Sequence, residues 1–328
     1  MDWNETRVLI TGGGGYIASH LIEEMLKRGA RVRALVKYNS RSDIGNLEYV
    51  GKNPNLEIVH GDLRDPFKVK AALEDIEFVF HLAASISIPY SYESPGDVLL
   101  NNVQSTLNVL ENVRNADVTG LVHTSSSEVY GTAEYVPIDA KHPLKAQSPY
   151  AASKIACDKL VESYVCSYDI NATTVRPFNT FGPRQSTRAV IPAISVQALS
   201  RKRIFIGDKR PTRDFVYVKD TVKGFVLAGE RMKKVKGKIV VLATGEEITI
   251  GDLAKKIVML ANSKSELVFD AQRVRPAQSE VQRLCGDSSL ARKELGWKPG
   301  YSLDQGLKAT IEWLGDYLHK YNPDIYAV

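Results

Sequence analysis

The 328 residues exceed one average domain, and 44% hydrophobic against 25% charged residues is an ordinary globular balance. The net charge of +5 is scattered rather than gathered into a stripe, which excludes a nucleic-acid surface and leaves a mild field for a small anionic substrate. No apolar run approaches the roughly 18 residues of a membrane helix, and three cysteines (Cys157, Cys166, Cys285) without C-x-x-C spacing exclude a disulfide framework and a thiolate metal site.

In chain order, Arg7 to Thr11 reads as a strand, Tyr16 to Lys27 as a helix and Arg31 to Val36 as a second strand. Leu56 to His60 and Phe78 to His81 continue the series, followed by a long helix near Val98 to Val113. Leu121 to Ser125 is another strand, then a helix from about Tyr150 to Tyr168, then the strand Ala172 to Arg176. Strands separated by helical stretches imply right-handed crossovers and a doubly wound parallel sheet. After Arg176 the texture changes, with Pro177, Gly182, Pro183, Pro192, Gly207 and Pro211 breaking the chain into shorter pieces. Helices are predicted at Ile191 to Arg201, Asp220 to Met232, Ile250 to Ala261 and Leu303 to Tyr321. Lys233, Lys234, Lys236 and Lys238 are expected in a solvated turn before a strand. The expected division is therefore residues 1–178 as an α/β unit and 179–328 as a smaller mixed α/β region that binds substrate, with the cleft between them. Met1 to Arg7 lacks the pattern of a secretory signal, and the odd cysteine count fits a reducing compartment, so a cytoplasmic protein is expected.

Gly12-Gly13-Gly14-Gly15 follows the first strand and opens the first helix. Glycines let a backbone turn sharply and approach a pyrophosphate, which then meets the free N–H groups of the helix N-terminus. This is a Rossmann dinucleotide site, with Gly12, Gly15, Tyr16 and Ile17 at the cofactor and Ala18 in place of a third glycine. An acid at the end of the second strand would receive the ribose 2′-OH of NAD. Here Lys37 and Arg41 stand near that point and favour the 2′-phosphate of NADP; the alternative is surface charges with NAD bound. Asp62 is a candidate acceptor for the adenine amino group, with Leu63 beside it. Leu82, Ala83 and Ala84 are small enough, after the fourth strand, to let the cofactor pass the backbone.

Together with Ser125-Ser126-Ser127-Glu128-Val129-Tyr130-Gly131, Tyr150-Ala151-Ala152-Ser153-Lys154, Arg176-Pro177-Phe178-Asn179 and Arg213-Asp214-Phe215, these motifs resemble the extended short-chain dehydrogenase/reductase superfamily. Within it, the chain is similar to nucleotide-sugar 4,6-dehydratases over nearly its whole length. The stretches Ile88 to Tyr92 and Arg275 to Val281 resemble enzymes acting on UDP- or GDP-linked N-acetylglucosamine, of the legionaminic-acid type.

Tyr150 and Lys154 stand four apart on a predicted helix, hence on one face. That spacing alone also describes an ordinary surface pair; the glycine loop upstream favours catalysis. A phenol with a pKa of about 10 is a poor base at neutral pH, but a neighbouring ammonium and a positive nicotinamide favour the phenolate. Tyr150 then takes the proton from the sugar 4-hydroxyl, and Lys154 also holds the nicotinamide ribose. The resemblance implies that Glu128 is the base at C5, because a ketone at C4 acidifies that proton. Water leaves from C6 and hydride returns there. Many relatives have an acid just before the glutamate; here Ser127 occupies that position, so Glu128 itself is expected to carry the proton to the leaving oxygen. Ser126 completes the catalytic group.

A nucleoside diphosphate needs donors and positive charge. Asn179, Arg213 and Arg275 are expected at the diphosphate, Val190 at the base, and Ser85 and Tyr90 beside the sugar. Arg184 is a further candidate, or else the partner of a surface acid. The resemblance also implies a homodimer through the two long helices and no metal. Alternatives are a UDP-glucuronate decarboxylase or a nucleotide-sugar 4-epimerase on the same scaffold. A non-catalytic dinucleotide sensor is disfavoured by the joint presence of Tyr150, Lys154 and Glu128.

Overall fold

The computed structural model describes residues 1–322; residues 323–328 of the expected C-terminal region lie outside the described residues. The strands of the first half are β1 (Arg7–Thr11), β2 (Arg31–Val36), β3 (Leu56–His60), β4 (Phe78–His81), β5 (Gly120–Thr124) and β6 (Ala172–Pro177). Those of the second half are β7 (Asn179–Phe181), β8 (Arg203–Ile206), β9 (Thr212–Arg213), β10 (Phe215–Tyr217), β11 (Ile239–Leu242), β12 (Ile248–Thr249) and β13 (Glu266–Phe269). A seven-stranded sheet has the order β11-β6-β5-β4-β1-β2-β3, with every pair parallel. Its central strands β1, β4, β5 and β6 are almost wholly buried, as a sheet covered on both faces requires, while the edge strand β3 is only half-buried.

The chain winds from β1 outward to β3, returns to lay β4 beside β1, and then winds the other way. Loops leaving β1 and β4 therefore diverge to opposite faces and open a crevice at the carboxyl ends of these two strands. Thr11 is paired in register with His81 there, and Trp3 packs edge-on against Phe78 in the core beneath.

The covering helices of the first half are α1 (Tyr16–Lys27), α2 (Pro66–Ala72), α3 (Ile88–Glu93), α4 (Pro95–Leu99), α5 (Ser105–Arg114) and α6 (Pro149–Tyr168). The single helix expected over Val98 to Val113 is α4 and α5 joined by a π-helical turn, Leu100–Gln104. The wider turn accompanies a buried side chain: Asn102 accepts from Ser85 N at 2.7 Å and donates to Ser85 O at 3.0 Å and Ser153 Oγ at 2.9 Å. One carboxamide thus joins the loop after β4 to α6.

The second half adds α7 (Val190–Ser200), α8 (Val218–Glu230), α9 (Met232–Val235), α10 (Ile250–Leu260), α11 (Ser289–Leu295) and α12 (Leu303–Asp316). Short pairs β7·β10, β8·β13 and β9·β12 frame the cleft from this side. Two elements beyond residue 178 return to the first half: β11 forms the sheet edge beside β6, and α8 packs against α1 and β5. The helix expected to reach Tyr321 ends at Asp316 and continues as a 3₁₀ turn, Leu318–Lys320. Of the lysine cluster, Lys233 and Lys234 lie on α9, while Lys236 and Lys238 pair with Asp169 at 2.8 Å and Glu294 at 3.0 Å. Among the described residues, no helix is long and apolar enough to cross a membrane.

Candidate active site

A cleft of about 830 Å³ runs from the carboxyl end of β1 to the C-terminal region. At one end the glycine loop passes hard against β4. Gly12 has φ +69°, and a Cβ there would lie 2.8 Å from Ala83 Cα, so only glycine fits without displacement. Thr11 Oγ1 accepts from Leu82 N at 3.1 Å and Ala83 N at 3.2 Å, tying the two strand ends together. Helix α1 begins at Gly15 without a side-chain cap or an acid in its first turn, which leaves its N–H groups available to an anion. Gly12, Gly15, Tyr16, Ile17, Leu63, Leu82, Ala83 and Ala84 all line this end, and the Tyr16 hydroxyl is buried without a partner. A narrow, uncapped, glycine-floored groove of this kind fits a dinucleotide pyrophosphate.

Asp62 is on the wall, but Arg64 pairs with it at 2.6 Å and holds its carboxyl below the ordinary range. At the end of β2, Lys37 lines the cleft with Asn39 and Asp43. Arg41 stands apart from the wall and is exposed, because Asn39 Oδ1 accepts from Arg41 N and Asp43 N and folds the segment into a turn.

The middle of the cleft is built by the segment after β5 and the start of α6. Ser126 caps a 3₁₀ turn, Ser127–Tyr130, by accepting from Glu128 N at 3.2 Å. Ser126, Ser127 and Glu128 face the cleft, as does Tyr150. Ser148 accepts from Ala151 N at 3.1 Å and starts α6 just before Tyr150. Burial pushes the Tyr150 phenol well up, and a hydrogen bond with Ser126 acts in the opposite direction. Lys154 sits behind the wall, donating to Thr124 O at 2.6 Å. Burial lowers its ammonium, opposed by Cys157 and Asp158.

At the far end Arg213 is only 7% exposed and donates to Glu280 at 3.0 Å. Burial lowers its guanidinium, against the attraction of Glu128 and Glu280. Arg275 Nη1 is 3.8 Å from the same Glu280 oxygen, and it and Asn179 Nδ2 are buried without hydrogen-bond partners. Two arginines converge on one carboxylate, so this end keeps surplus positive charge and unused donors. Val190 and Ser85 are on the wall. Two other expected residues are not. The Tyr90 hydroxyl turns away to Asp97 at 3.1 Å. Arg184, in a left-handed conformation with φ +72°, is taken up by Glu23 at 2.8 Å and Ser19 at 3.3 Å. The acid that holds it comes from α1, five residues beyond Ala18.

A family model described as GDP-mannose 4,6 dehydratase matches residues 9–310. The chain belongs to that family. Its members here are nucleotide-sugar 4,6-dehydratases and 4-epimerases of the extended short-chain dehydrogenase/reductase superfamily, so the protein is an enzyme. A putative UDP-glucose 4-epimerase of Methanocaldococcus jannaschii is 33% identical over 94% of this chain and 98% of its own. A dTDP-D-glucose 4,6-dehydratase of Homo sapiens is 31% identical, over 96% of this chain and 91% of its own. The structure of DesIV, a dTDP-glucose 4,6-dehydratase from Streptomyces venezuelae with NAD and TYD bound, superposes with a TM-score of 0.88 at 27% identity, covering 97% of this chain and 99% of its own.

Within this dehydratase-like scaffold, two polar groups escaped the sequence reading, Glu280 on the cleft wall and Asn102, which is buried and off the wall. Glu280 joins Arg213 to Arg275; its signal was an acid five residues after Arg275. Asn102 had none, since its burial follows from the π-helical turn. Among the described residues no group of three or more His, Cys, Asp or Glu is placed to hold a metal ion.

Proposed function

We propose that this enzyme is a 4,6-dehydratase of a UDP-linked N-acetylhexosamine, converting UDP-N-acetylglucosamine to its 4-keto-6-deoxy product. The observation that carries the reading is Glu128 on the same cleft wall as Tyr150. A 4-epimerase has no C5 proton to remove and no need of a carboxylate there. A nicotinamide dinucleotide held at Gly12, Gly15, Tyr16 and Ile17 would supply the hydride acceptor for C4 and the hydride donor for C6. Tyr150 takes the proton of the 4-hydroxyl as the ketone forms, while Lys154 favours the phenolate and orients the nicotinamide ribose. Glu128 removes the C5 proton and passes it to the C6 oxygen, which leaves as water as the C5–C6 double bond forms. Hydride return to C6 leaves an enolate that takes its C5 proton from solvent, while Tyr150 releases to solvent the proton it took from the 4-hydroxyl. Ser127 orients Glu128, and Ser126 holds the Tyr150 hydroxyl. Arg213, Arg275 and Asn179 bind the diphosphate, with Val190 beside the base and Ser85 beside the sugar.

NADP is the proposed cofactor, with Lys37 rather than Arg41 at the 2′-phosphate and Asp62 toward adenine. Residues 1–178 carry the dinucleotide and the chemistry, and residues 179–328 chiefly the nucleotide sugar. A cytoplasmic homodimer through α4, α5 and α6 completes the proposal; light scattering at a dimer's mass would support it, and a monomer's mass at working concentration would exclude it. One observation favours a second reading, since a relative at 33% identity is named a putative UDP-glucose 4-epimerase. Incubation with UDP-N-acetylglucosamine in deuterated water, read by mass spectrometry and proton NMR, separates the two. Loss of one water with deuterium at C5 supports dehydration. An unchanged mass with an inverted C4 proton coupling supports epimerisation and sinks the proposal.

A further inference from the structure

Beneath the cleft floor lies a buried charged pair that the proposed reaction does not touch. Asp158 is on α6, one turn past Lys154 and two past Tyr150, so the three share a helix face. Its Oδ2 accepts from Ser125 Oγ at 2.7 Å, just after β5, and from Arg176 Nε at 3.1 Å and Nη2 at 2.7 Å on β6. Arg176 Nη1 then donates to the Tyr130 hydroxyl at 2.9 Å. Tyr130 closes the 3₁₀ turn that carries Glu128, and Ser125 precedes Ser126. Asp158 and Arg176 are 4% and 1% exposed.

A buried ion pair is a weak source of stability, because desolvation offsets most of the attraction and apolar residues do as well. What this pair does supply is geometry. It joins the helix bearing Tyr150 and Lys154, the segment bearing Ser126 and the turn bearing Glu128. We propose that Asp158 and Arg176 are positioning residues, which set the proton-transferring side chains of α6 against those of the segment after β5. The inference rests on the proposed roles of Tyr150, Lys154 and Glu128, and displacements of about 1 Å at such groups cost on the order of 100-fold in rate.

The test uses the holoenzyme and the double variant Asp158→Asn/Arg176→Gln, which removes both charges and leaves neither stranded. Amide hydrogen exchange, with no sugar present, is expected to show faster exchange in residues 124–130 and 150–158 with β1 to β4 unchanged. Cofactor reduction, measured with whichever nucleotide sugar the wild type turns over, is expected to fall about 100-fold while KM stays within about twofold. Dehydratase and 4-epimerase both begin by oxidising C4, so failure of the dehydratase reading appears in the product and leaves this measurement standing. Tyr130→Phe, which deletes only the link to the Glu128 turn, keeps the idea testable should the double variant fail to fold; faster exchange confined to residues 127–130 is its expected result. Wild-type exchange in both segments overturns the proposal. So does faster exchange spread over the whole sheet, or a loss seen in KM rather than in kcat.

Discussion

Tyr150 is 6% exposed, and burial holds its phenol above the ordinary value; the Ser126 hydrogen bond brings it down, against Glu128, Cys157 and Asp158, which raise it further. Removing the hydroxyl therefore removes the base without emptying the site. Tyr150→Phe is expected to slow C4 oxidation by about 10²- to 10⁴-fold with little change in KM, read as the rate of cofactor reduction; a rate near wild type would assign the base elsewhere. Glu128→Gln separates the later step. Its carboxamide keeps the shape and cannot take the C5 proton, so reduced cofactor is expected to accumulate together with a 4-keto sugar that is lighter by two hydrogens and has lost no water. Normal release of water from that variant would end the case for Glu128. Arg213 is the third decisive side chain, lying in the field of both Glu128 and Glu280. Loss of its charge should appear mainly in KM, as uniform binding does.

Elements, more than single residues, decide how the cofactor sits. The loop between β1 and α1 has no slack at Gly12: a methyl there meets Ala83 Cα at 2.8 Å, in a left-handed conformation that costs an L-residue about 1–2 kcal/mol. Gly12→Ala is expected to weaken dinucleotide binding at least about tenfold, which is about 1.4 kcal/mol, and to lower the melting temperature; cofactor titration followed by fluorescence checks it, and unaltered affinity would show that the loop yields. At this scale the sequence was most legible. β1 to β4 and α1 fall on the predicted residues because period, glycine punctuation and burial all agree there. The glycine loop, the Ser-Ser-Glu turn and the Tyr-Lys pair were legible as patterns for a different reason: each is a short run of residues, although the partners that hold them, Ala83 for Gly12 and Thr124 for Lys154, are distant. What escaped depends on distant partners. Tyr90 is claimed by Asp97, and Asn102 by Ser85 and Ser153 through a π-helical turn that no local pattern announces, whereas Arg184 takes the acid partner offered as its alternative, Glu23 on α1.

The whole molecule is held as one body because the second half threads back into the first through α8 and β11. His20 on α1 belongs to the same seam. Its Nε2 lies 3.0 Å from Pro183 O, in the segment after β7, and burial lowers its pKa to about 4 despite that contact and nearby Glu23. The unfolded chain titrates this group near 6.5. Between pH 6.5 and 4 the unfolded state therefore binds the extra proton, and stability falls as pH falls through that window. A depression of 2.5 units amounts to roughly 3 kcal/mol at 1.36 kcal/mol per unit. His81 and His123, whose pKa values burial also lowers, add to the same slope. His20→Gln retains a donor for Pro183 O and has nothing to protonate. It should melt near the wild-type temperature at pH 7.5 and lose several degrees less on acidification to pH 4. Parallel melting curves for the two proteins across that range would shift the acid sensitivity to the histidines and carboxylates beneath the sheet, and with it the weakest part of the structure.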